Sequence, residues 1–362
     1  MPETGAKNDI ELADLRGVDY DDAKWDELLD NMTISDMDTV IALGGYQTAA
    51  ASSVGKIQTI DCDGPASINN NFTGTGSIGF PSAVMIACTW NDEIAMEFGE
   101  SIGKMADEMG VSGWYAPAMN IHRSAFAGRN FEYYSEDGLL SGKIAANAVV
   151  GAEKYGVYAY LKHFALNDQE TNRTSMLCTW SNEQAIREIY LKPFEMAVKN
   201  FTGTAQAVMS SYNFIGNVAS CNNSDLLNTV LRDEWGFVGM VITDYNGSYG
   251  YQTTDNCIKN GNDLMLGYGT AESNQLNTES ATTVLAMRQA SKNILYTIAN
   301  SGYYVDSSAV EISTDGLNKM QITFYTVDAI VVVIVLLAEA LVLILFFLKR
   351  KKAAAKITVE KE

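Results

Sequence analysis

The acidic side chain of greatest chemical interest, Asp244, stands directly after an apolar run that has the character of a buried strand. The run comprises residues 237–242 and is followed by Thr243. Continuous apolar runs are typical of parallel strands covered on both faces. In parallel α/β barrels, side chains at the carboxyl ends of the strands line the face that carries the chemistry. Asp244 is therefore a candidate nucleophile, and its alternative role is to cap the loop that follows.

A second polar cluster follows another apolar stretch, residues 157–161. It contains Lys162, His163, Glu170 and Arg173. Adjacent residues of a strand point to opposite faces, so both Lys162 and His163 reach one pocket only if the strand ends or bulges there. The alternative is a histidine satisfied in the core beside a solvated lysine.

Five short motifs, in chain order, resemble the N-terminal barrel domain of the family 3 glycoside hydrolases. The resemblance extends from about Trp25 to Asn300. The motifs are Asp63-Gly64-Pro65, Gly128-Arg129 with Glu132, Ser135-Glu136-Asp137, Lys162-His163-Phe164 with Asn167, Gln169, Glu170 and Arg173, and the run from Gly236-Phe237 to Thr243-Asp244-Tyr245.

This resemblance implies a retaining, exo-acting β-glycosidase similar to β-glucosidases, which hydrolyses terminal β-linked sugars of an oligosaccharide or β-glycoside. Such a reaction uses a carboxylate nucleophile and a carboxylic acid about 5–5.5 Å apart. The family pattern assigns the nucleophile to Asp244. It requires no cofactor.

The resemblance also implies which side chains hold the terminal sugar. They are Asp63, Arg129, Lys162, His163, Met209, Tyr212 and Tyr245. Tyr212 is expected to hydrogen-bond Asp244, and Tyr245 stands where the family usually has tryptophan. Glu170 and Arg173 are expected to contact the sugar-binding side chains rather than the sugar itself. The alternative is that they form an ordinary ion pair.

The general acid of the reaction is the main departure from the family pattern. In most members a glutamate of a second, α/β sandwich domain supplies it, and we find no such domain in these residues. We favour an upstream domain as its source; a partner chain is the second explanation. The third is a noncatalytic, membrane-tethered carbohydrate-binding protein.

The composition of the chain argues against nucleic acid as a partner and against a multi-histidine metal site. The chain has 362 residues and a formal charge of -19, which repels nucleic acid. It contains only two histidines, so we expect no multi-histidine metal site.

Strand-like runs alternate with helical patterns, which predicts a (β/α)8-type barrel whose eighth strand is degenerate or hidden. The predicted strands are residues 58–60, 84–87, 113–116, 157–162, 205–210, 239–243 and 263–266.

The end of the chain changes character, because Ala329–Leu348 is almost wholly apolar and four basic residues follow it. Such a stretch predicts a single transmembrane helix with a cytoplasmic C-terminus and an extracellular barrel domain in the cell membrane. The predicted organisation is a polar segment (1–21), the barrel domain (22–305), a tether (306–324), the transmembrane helix (325–348) and a basic cytoplasmic tail (349–362).

Overall fold

The structure is a computed structural model that describes residues 1–70, 73–200, 206–247, 249–269, 274–302, 326, 329–344 and 349. The chain divides into two compact units, Met1–Val310 and Glu311–Glu362. The predicted tether lies outside the described residues. So does the predicted tail, except for its first residue, Lys349.

Strands of the first unit build one main sheet and two small ones. Their bounds are β1 Gln47–Thr48, β2 Thr59–Cys62, β3 Asn69–Asn70, β4 Thr75–Gly76, β5 Gly113–Trp114, β6 Tyr158–Phe164, β7 Cys178–Thr179, β8 Ala207–Ser210, β9 Phe214–Ile215, β10 Val218–Ala219 and β11 Met240–Thr243. The main sheet has the order β1-β2-β5-β6-β8-β11. Only β1 is antiparallel to its neighbour, so the carboxyl ends of the other five strands share one edge.

Helices cover this sheet. They are α1 Lys24–Asn31, α2 Ile34–Ala42, α3 Ala83–Ala87, α4 Asp92–Glu108, α5 Gly138–Glu153, α6 Glu183–Ala185, α7 Lys192–Asn200, α8 Thr254–Lys259 and α9 Ala281–Asn300, with π-helical segments at Ile186–Tyr190 and Asp225–Glu234. Side-chain caps begin several of them: Asn91 accepts from two backbone N–H groups of α4, and Asp137 does the same for α5. Such caps satisfy N–H groups that have no partner within the helix.

The core lies between the main sheet and the helices that begin and end this unit. Trp25 of α1 packs against Tyr296 of α9 at 5.5 Å between ring centroids, and both belong to one cluster of buried apolar side chains. The same cluster includes Leu12 and Leu15, which lie in the predicted polar segment 1–21. Hydrophobic burial therefore ties both ends of the unit to the sheet.

The prediction of a (β/α)8-type barrel is wrong, because the described residues form a mixed α/β fold with a six-stranded half-barrel sheet. The predicted strand at residues 84–87 is helix α3, a short apolar run for which periodicity does not separate helix from strand. The predicted strand at residues 263–266 contributes one isolated bridge, Ile242 to Leu264. Beside it, the Asp263 carboxylate accepts the Val241 N–H at 2.7 Å, which occupies a donor that a regular ladder would use.

The predicted transmembrane helix and the single-pass membrane topology are also wrong. In the described part of the chain, no helix combines the length and apolar character that crossing a bilayer requires.

Candidate active site

Asp244 leaves the sheet at the carboxyl end of β11. Its backbone N–H donates to the Ser210 carbonyl at 3.0 Å, so the chain stays paired with β8 as it turns away. Carboxylate Oδ1 accepts the Tyr245 N–H at 2.7 Å. The buried Oδ2 has no hydrogen-bond partner among the described residues; His163 Nε2 lies 3.9 Å away and Arg173 Nη1 4.0 Å away.

The charge state of Asp244 reflects two opposing effects. Burial raises the pKa of this carboxyl, and it outweighs the charges of Arg129, Arg173 and Lys162 and the Tyr245 N–H, all of which lower it. Desolvation disfavours the ionised form of a carboxyl, whereas nearby cations favour it. Asp244 is therefore a poorly solvated aspartate, and the cations around it are paired with other carboxylates.

Lys162 and Asp63 form an ion pair beside Asp244. Asp63 follows the end of β2, and its Oδ1 accepts from Lys162 Nζ at 2.6 Å and from the Gly64 N–H at 2.8 Å. Burial acts to raise the pKa of Asp63, but the charge and hydrogen bond of Lys162 lower it overall. Asp63 is therefore a carboxylate held in one orientation.

His163 follows Lys162 on β6, and the side chains of Lys162 and His163 line the same pocket. The strand continues to Phe164, but its register against β8 shifts between Leu161 and Phe164, and the Lys162–His163 peptide bond is cis. The irregularity expected from the sequence is thus present without an end of the strand.

A fixed set of partners orients the His163 ring. The Asn120 amide bonds both the N–H and the carbonyl of His163 at 2.8 Å, and Nδ1 lies 3.3 Å from the Tyr133 hydroxyl. Burial, followed by the charges of Arg129 and Lys162, lowers the pKa of His163 well below its ordinary value. The ring is accordingly neutral, and its Nε2 faces Asp244.

Arg129 and Arg173 share the carboxylate of Glu170. Arg129 also pairs through Nε with the buried Glu132, and its Nη1 lies 3.8 Å from Glu170. Arg173 Nε lies 3.0 Å from the other oxygen of Glu170. Gly128 has φ +99° and a Cβ there would lie 3.0 Å from the Glu170 side chain, so only glycine lets the two loops approach.

Met209 and Tyr212 come from β8 and the residues after it. The predicted hydrogen bond from Tyr212 to Asp244 is not what the structure shows, because the Tyr212 hydroxyl donates to the Tyr245 carbonyl at 2.6 Å. The Arg173 guanidinium lies over the Tyr212 ring, 4.8 Å from its centroid. Tyr212 therefore fixes the loop that carries Asp244 rather than the carboxylate itself.

A pocket of about 350 Å³ brings all these side chains together. Its wall includes every residue predicted from the sequence: Asp63, Arg129, Lys162, His163, Glu170, Arg173, Met209, Tyr212, Asp244 and Tyr245. Four lining residues were not predicted, namely Tyr46, Tyr115, Tyr249 and Leu266. Tyr115 and Leu266 lie at or near the carboxyl ends of predicted strands, a position from which the sequence could have indicated them as pocket residues. Tyr46 and Tyr249 lie in loops with no distinguishing sequence pattern.

The pocket offers carboxylates, cations and aromatic faces, but no metal site. Within the described residues, no group of His, Cys, Asp and Glu has an arrangement that could hold a metal ion. Aromatic faces with fixed hydrogen-bonding groups, around a carboxylate at a strand end, are typical of the glycoside hydrolase class.

The chain belongs to glycoside hydrolase family 3, since residues 52–266 match the glycosyl hydrolase family 3 N-terminal domain. The predicted resemblance is thereby confirmed. Among curated relatives, β-glucosidase A of Butyrivibrio fibrisolvens is 42% identical over 229 residues, and a β-glucosidase of Rhizobium radiobacter is 38% identical over 235 residues.

Solved structures agree with this membership. β-Glucosidase 3B of Thermotoga neapolitana, in complex with α-D-glucose, matches 78% of this chain and 43% of its own with a TM-score of 0.67 and 33% identity. DesR, a β-glucosidase of Streptomyces venezuelae in complex with D-glucose, matches 80% of this chain and 39% of its own with a TM-score of 0.71 and 27% identity. The two curated relatives match 63% and 64% of this chain, which spans 27% and 28% of their lengths.

Proposed function

We propose that this chain carries the nucleophile half of a retaining, exo-acting β-glycosidase similar to β-glucosidases. Asp244 would attack the anomeric carbon of a terminal β-linked sugar and form a covalent glycosyl-enzyme intermediate. The β-glucosidases among its relatives support this assignment of the substrate class.

One observation carries the proposal: Asp244 differs from the other carboxylates that line the pocket. Lys162 hydrogen-bonds Asp63 at 2.6 Å, and Arg173 lies 3.0 Å from Glu170. The cation closest to Asp244 is 4.0 Å away, and Oδ2 has no hydrogen-bond partner among the described residues. A carboxylate not saturated by hydrogen bonds keeps its electron pairs available for attack.

The ion pairs beside Asp244 would bind the sugar. Asp63 can accept from hydroxyls with the oxygen that Lys162 leaves unbonded. At the same edge of the ring Lys162 can donate, and the neutral His163 ring can donate or accept. Hydrogen bonds to sugar hydroxyls that strengthen in the transition state accelerate the reaction. The half-exposed rings of Tyr245 and Tyr249 offer apolar faces for the sugar.

The general acid would come from outside the described pocket. The charge and hydrogen bond of Lys162 lower the pKa of Asp63 against the effect of burial, which makes Asp63 a poor proton donor. The carboxylate of Glu170 is shared by Arg129 and Arg173. A glutamate of an α/β sandwich domain, as the family resemblance implies, would supply the proton to the leaving oxygen.

Hydrolysis of 2,4-dinitrophenyl β-glucoside tests this proposal, because its leaving group departs without a proton. We expect turnover by the chain and a loss on the order of 10³-fold or more for Asp244→Asn. Asp107→Asn, an exposed position in α4, is the matched control and should retain full activity. Equal rates for the chain and its Asp244→Asn variant would refute the role of Asp244.

A noncatalytic sugar-binding role is the second candidate. The ion pairing of Asp63 and Glu170 favours it, since no second carboxyl of the described pocket is available as an acid. A binding protein would hold a β-glucoside without turnover, and Asp244→Asn would leave its affinity nearly unchanged.

A further inference from the structure

A second cleft of about 340 Å³ lies away from the candidate active site and shares none of its lining residues. The π-helical segment Ile186–Tyr190, helix α7 and the end of the segment Asp225–Glu234 form its walls. Its volume falls within the range of small-molecule sites. Nothing in the function proposed above uses this cleft.

Charges in the cleft balance, although the whole chain carries a formal charge of -19. The described lining residues include three cations, Arg187, Lys192 and Lys199, and three carboxylates, Glu188, Glu195 and Glu234. An anion site needs an excess of cations, and a cation site needs the reverse. The cleft therefore suits an uncharged ligand.

The charged side chains of the cleft form ion pairs with one another, and some of their hydrogen-bond donors remain unused. Arg187 donates Nη1 and Nη2 to Glu234 at 2.6 and 3.0 Å and Nε to Glu183 at 2.9 Å. Two of the five N–H groups of its guanidinium thus remain for a ligand. Lys199 and Lys192 reach Glu195 at 2.7 and 3.4 Å. The cleft therefore offers both hydrogen-bond donors and acceptors, which is what the hydroxyl groups of a sugar require.

Among the described residues that line the cleft, Trp235 is the one aromatic side chain. The Trp235 ring packs edge-to-face against the buried Phe164 at 5.8 Å between centroids, and this contact holds the indole in position. An indole presents a flat apolar face and a single N–H donor, the combination on which sugar rings stack.

We propose that this cleft binds one or two residues of a neutral carbohydrate, as a site separate from the Asp244 pocket. Trp235 would stack against a sugar ring, and the Arg187–Glu234 pair would donate to and accept from its hydroxyls. The site would hold a glycan on the surface of the domain independently of turnover.

Indole N–H signals in a ¹H–¹⁵N spectrum of the full chain test this proposal, with cellobiose as the probe. The chain has five tryptophans, and Trp235→Phe and Trp90→Phe identify two of their signals. The titration uses the Asp244→Asn variant so that the probe is not consumed. We expect a saturable shift of the Trp235 signal with a Kd on the order of 1 mM. The exposed Trp90 should not respond.

Arg187→Gln, at a half-exposed position, should weaken this response at least tenfold while the other signals keep their places. Inorganic phosphate should leave the Trp235 signal unmoved. The proposal fails if cellobiose does not shift this signal at about ten times the expected Kd, if Arg187→Gln leaves the response unchanged, or if phosphate alone produces it. Asp63→Ala separates the two sites: it should abolish binding in the Asp244 pocket and spare the Trp235 response.

Discussion

At the scale of single residues, the balance between burial and positive charge decides how Asp244 behaves. Its carboxylate lies in a pocket with three cations, yet none of them reaches it within hydrogen-bond distance. Burial raises its pKa while Arg173 lowers it. The contribution of one arginine to the reactivity of the nucleophile is therefore measurable through pH.

Removing the charge of Arg173 should move the acid limb of activity to higher pH. Without this guanidinium the pKa of Asp244 rises further, so a smaller fraction is ionised at each acidic pH and attack slows. The measurement is kcat/KM against pH for Arg173→Gln with 2,4-dinitrophenyl β-glucoside, because this ratio reports groups of the free enzyme. Arg187→Gln is the control. An acid limb that stays in place or moves to lower pH would contradict the assigned charge balance.

The residues of the pocket were largely predictable from sequence, whereas some of their contacts were not. Lys162 and Asp244 each end or follow an apolar run, and parallel strands bring such ends to one edge. Asp63, by contrast, was predicted only through the family resemblance. The hydroxyl of Tyr212 bonds a backbone carbonyl instead of Asp244, a choice that depends on the path of the loop after β11. Tyr46 and Tyr249 reach the pocket through loops whose course no local pattern specifies.

At the scale of elements, close contact between α4 and α5 depends on glycine. A Cβ on Gly99 would lie 1.9 Å from the Ala148 carbonyl oxygen, and one on Gly151 would lie 2.3 Å from the Met96 carbonyl oxygen. These positions let the two helix backbones touch. The packing of α5 supports β6, since the helix leads directly into this strand.

Gly99→Ala should destabilise the fold by about 1–3 kcal/mol, because the helices must separate to admit the methyl group. In an exposed helix the same change would stabilise by up to about 1 kcal/mol, so the sign of the effect is diagnostic. Urea unfolding measures it. Gly79→Ala, where nothing lies within 4 Å of the added Cβ, should change the free energy of unfolding little. A neutral or stabilising Gly99→Ala would show that the helices are not in contact there.

Sequence patterns indicate elements best where these are long and worst where they are short. Helices α4 and α5 comprise 17 and 16 residues, and both begin at side-chain caps that the sequence can reveal. The run at residues 84–87 is too short for periodicity to decide between helix and strand. Residues 263–266 form one isolated bridge instead of a strand, and the Asp263 carboxylate accepts the Val241 N–H beside it, a bond that no hydrophobic pattern reveals.

At the scale of the whole molecule, a buried polar cluster inside the sheet links stability to pH. Asp61 is fully buried and accepts hydrogen bonds from Tyr158 at 2.5 Å and Tyr160 at 2.7 Å. Burial raises its pKa to about 6, against the lowering effects of the two tyrosines and Lys56. In the unfolded chain an aspartate titrates near pH 3.9.

Because the folded state holds its proton more tightly, the stability due to Asp61 is complete below about pH 4 and is lost as pH rises through about 6. Asp61→Asn removes this titration, so its stability relative to the parent should increase by up to about 3 kcal/mol between pH 4 and pH 7. Denaturant midpoints at both pH values measure it, with Asp107→Asn as control. A relative stability that falls with pH would contradict the assigned direction.

The transmembrane prediction failed at this scale because it rested on composition. An apolar stretch indicates a membrane span only if a sufficiently long helix forms there, and no helix in the described part of the chain has both the length and the apolar character of a span. Family membership, by contrast, rests on motifs distributed along the sheet, which the fold brings together around one pocket. Distributed motifs were the stronger evidence.

The most direct test of the central claim is covalent trapping at Asp244. The chain is incubated with 2,4-dinitrophenyl 2-deoxy-2-fluoro-β-glucoside, whose good leaving group makes a general acid unnecessary, and its intact mass and peptides are measured. We expect one added fluoroglucosyl group, located on Asp244 and absent from Asp244→Asn. An adduct on a different residue, or none after prolonged incubation with correctly folded protein, would contradict this claim.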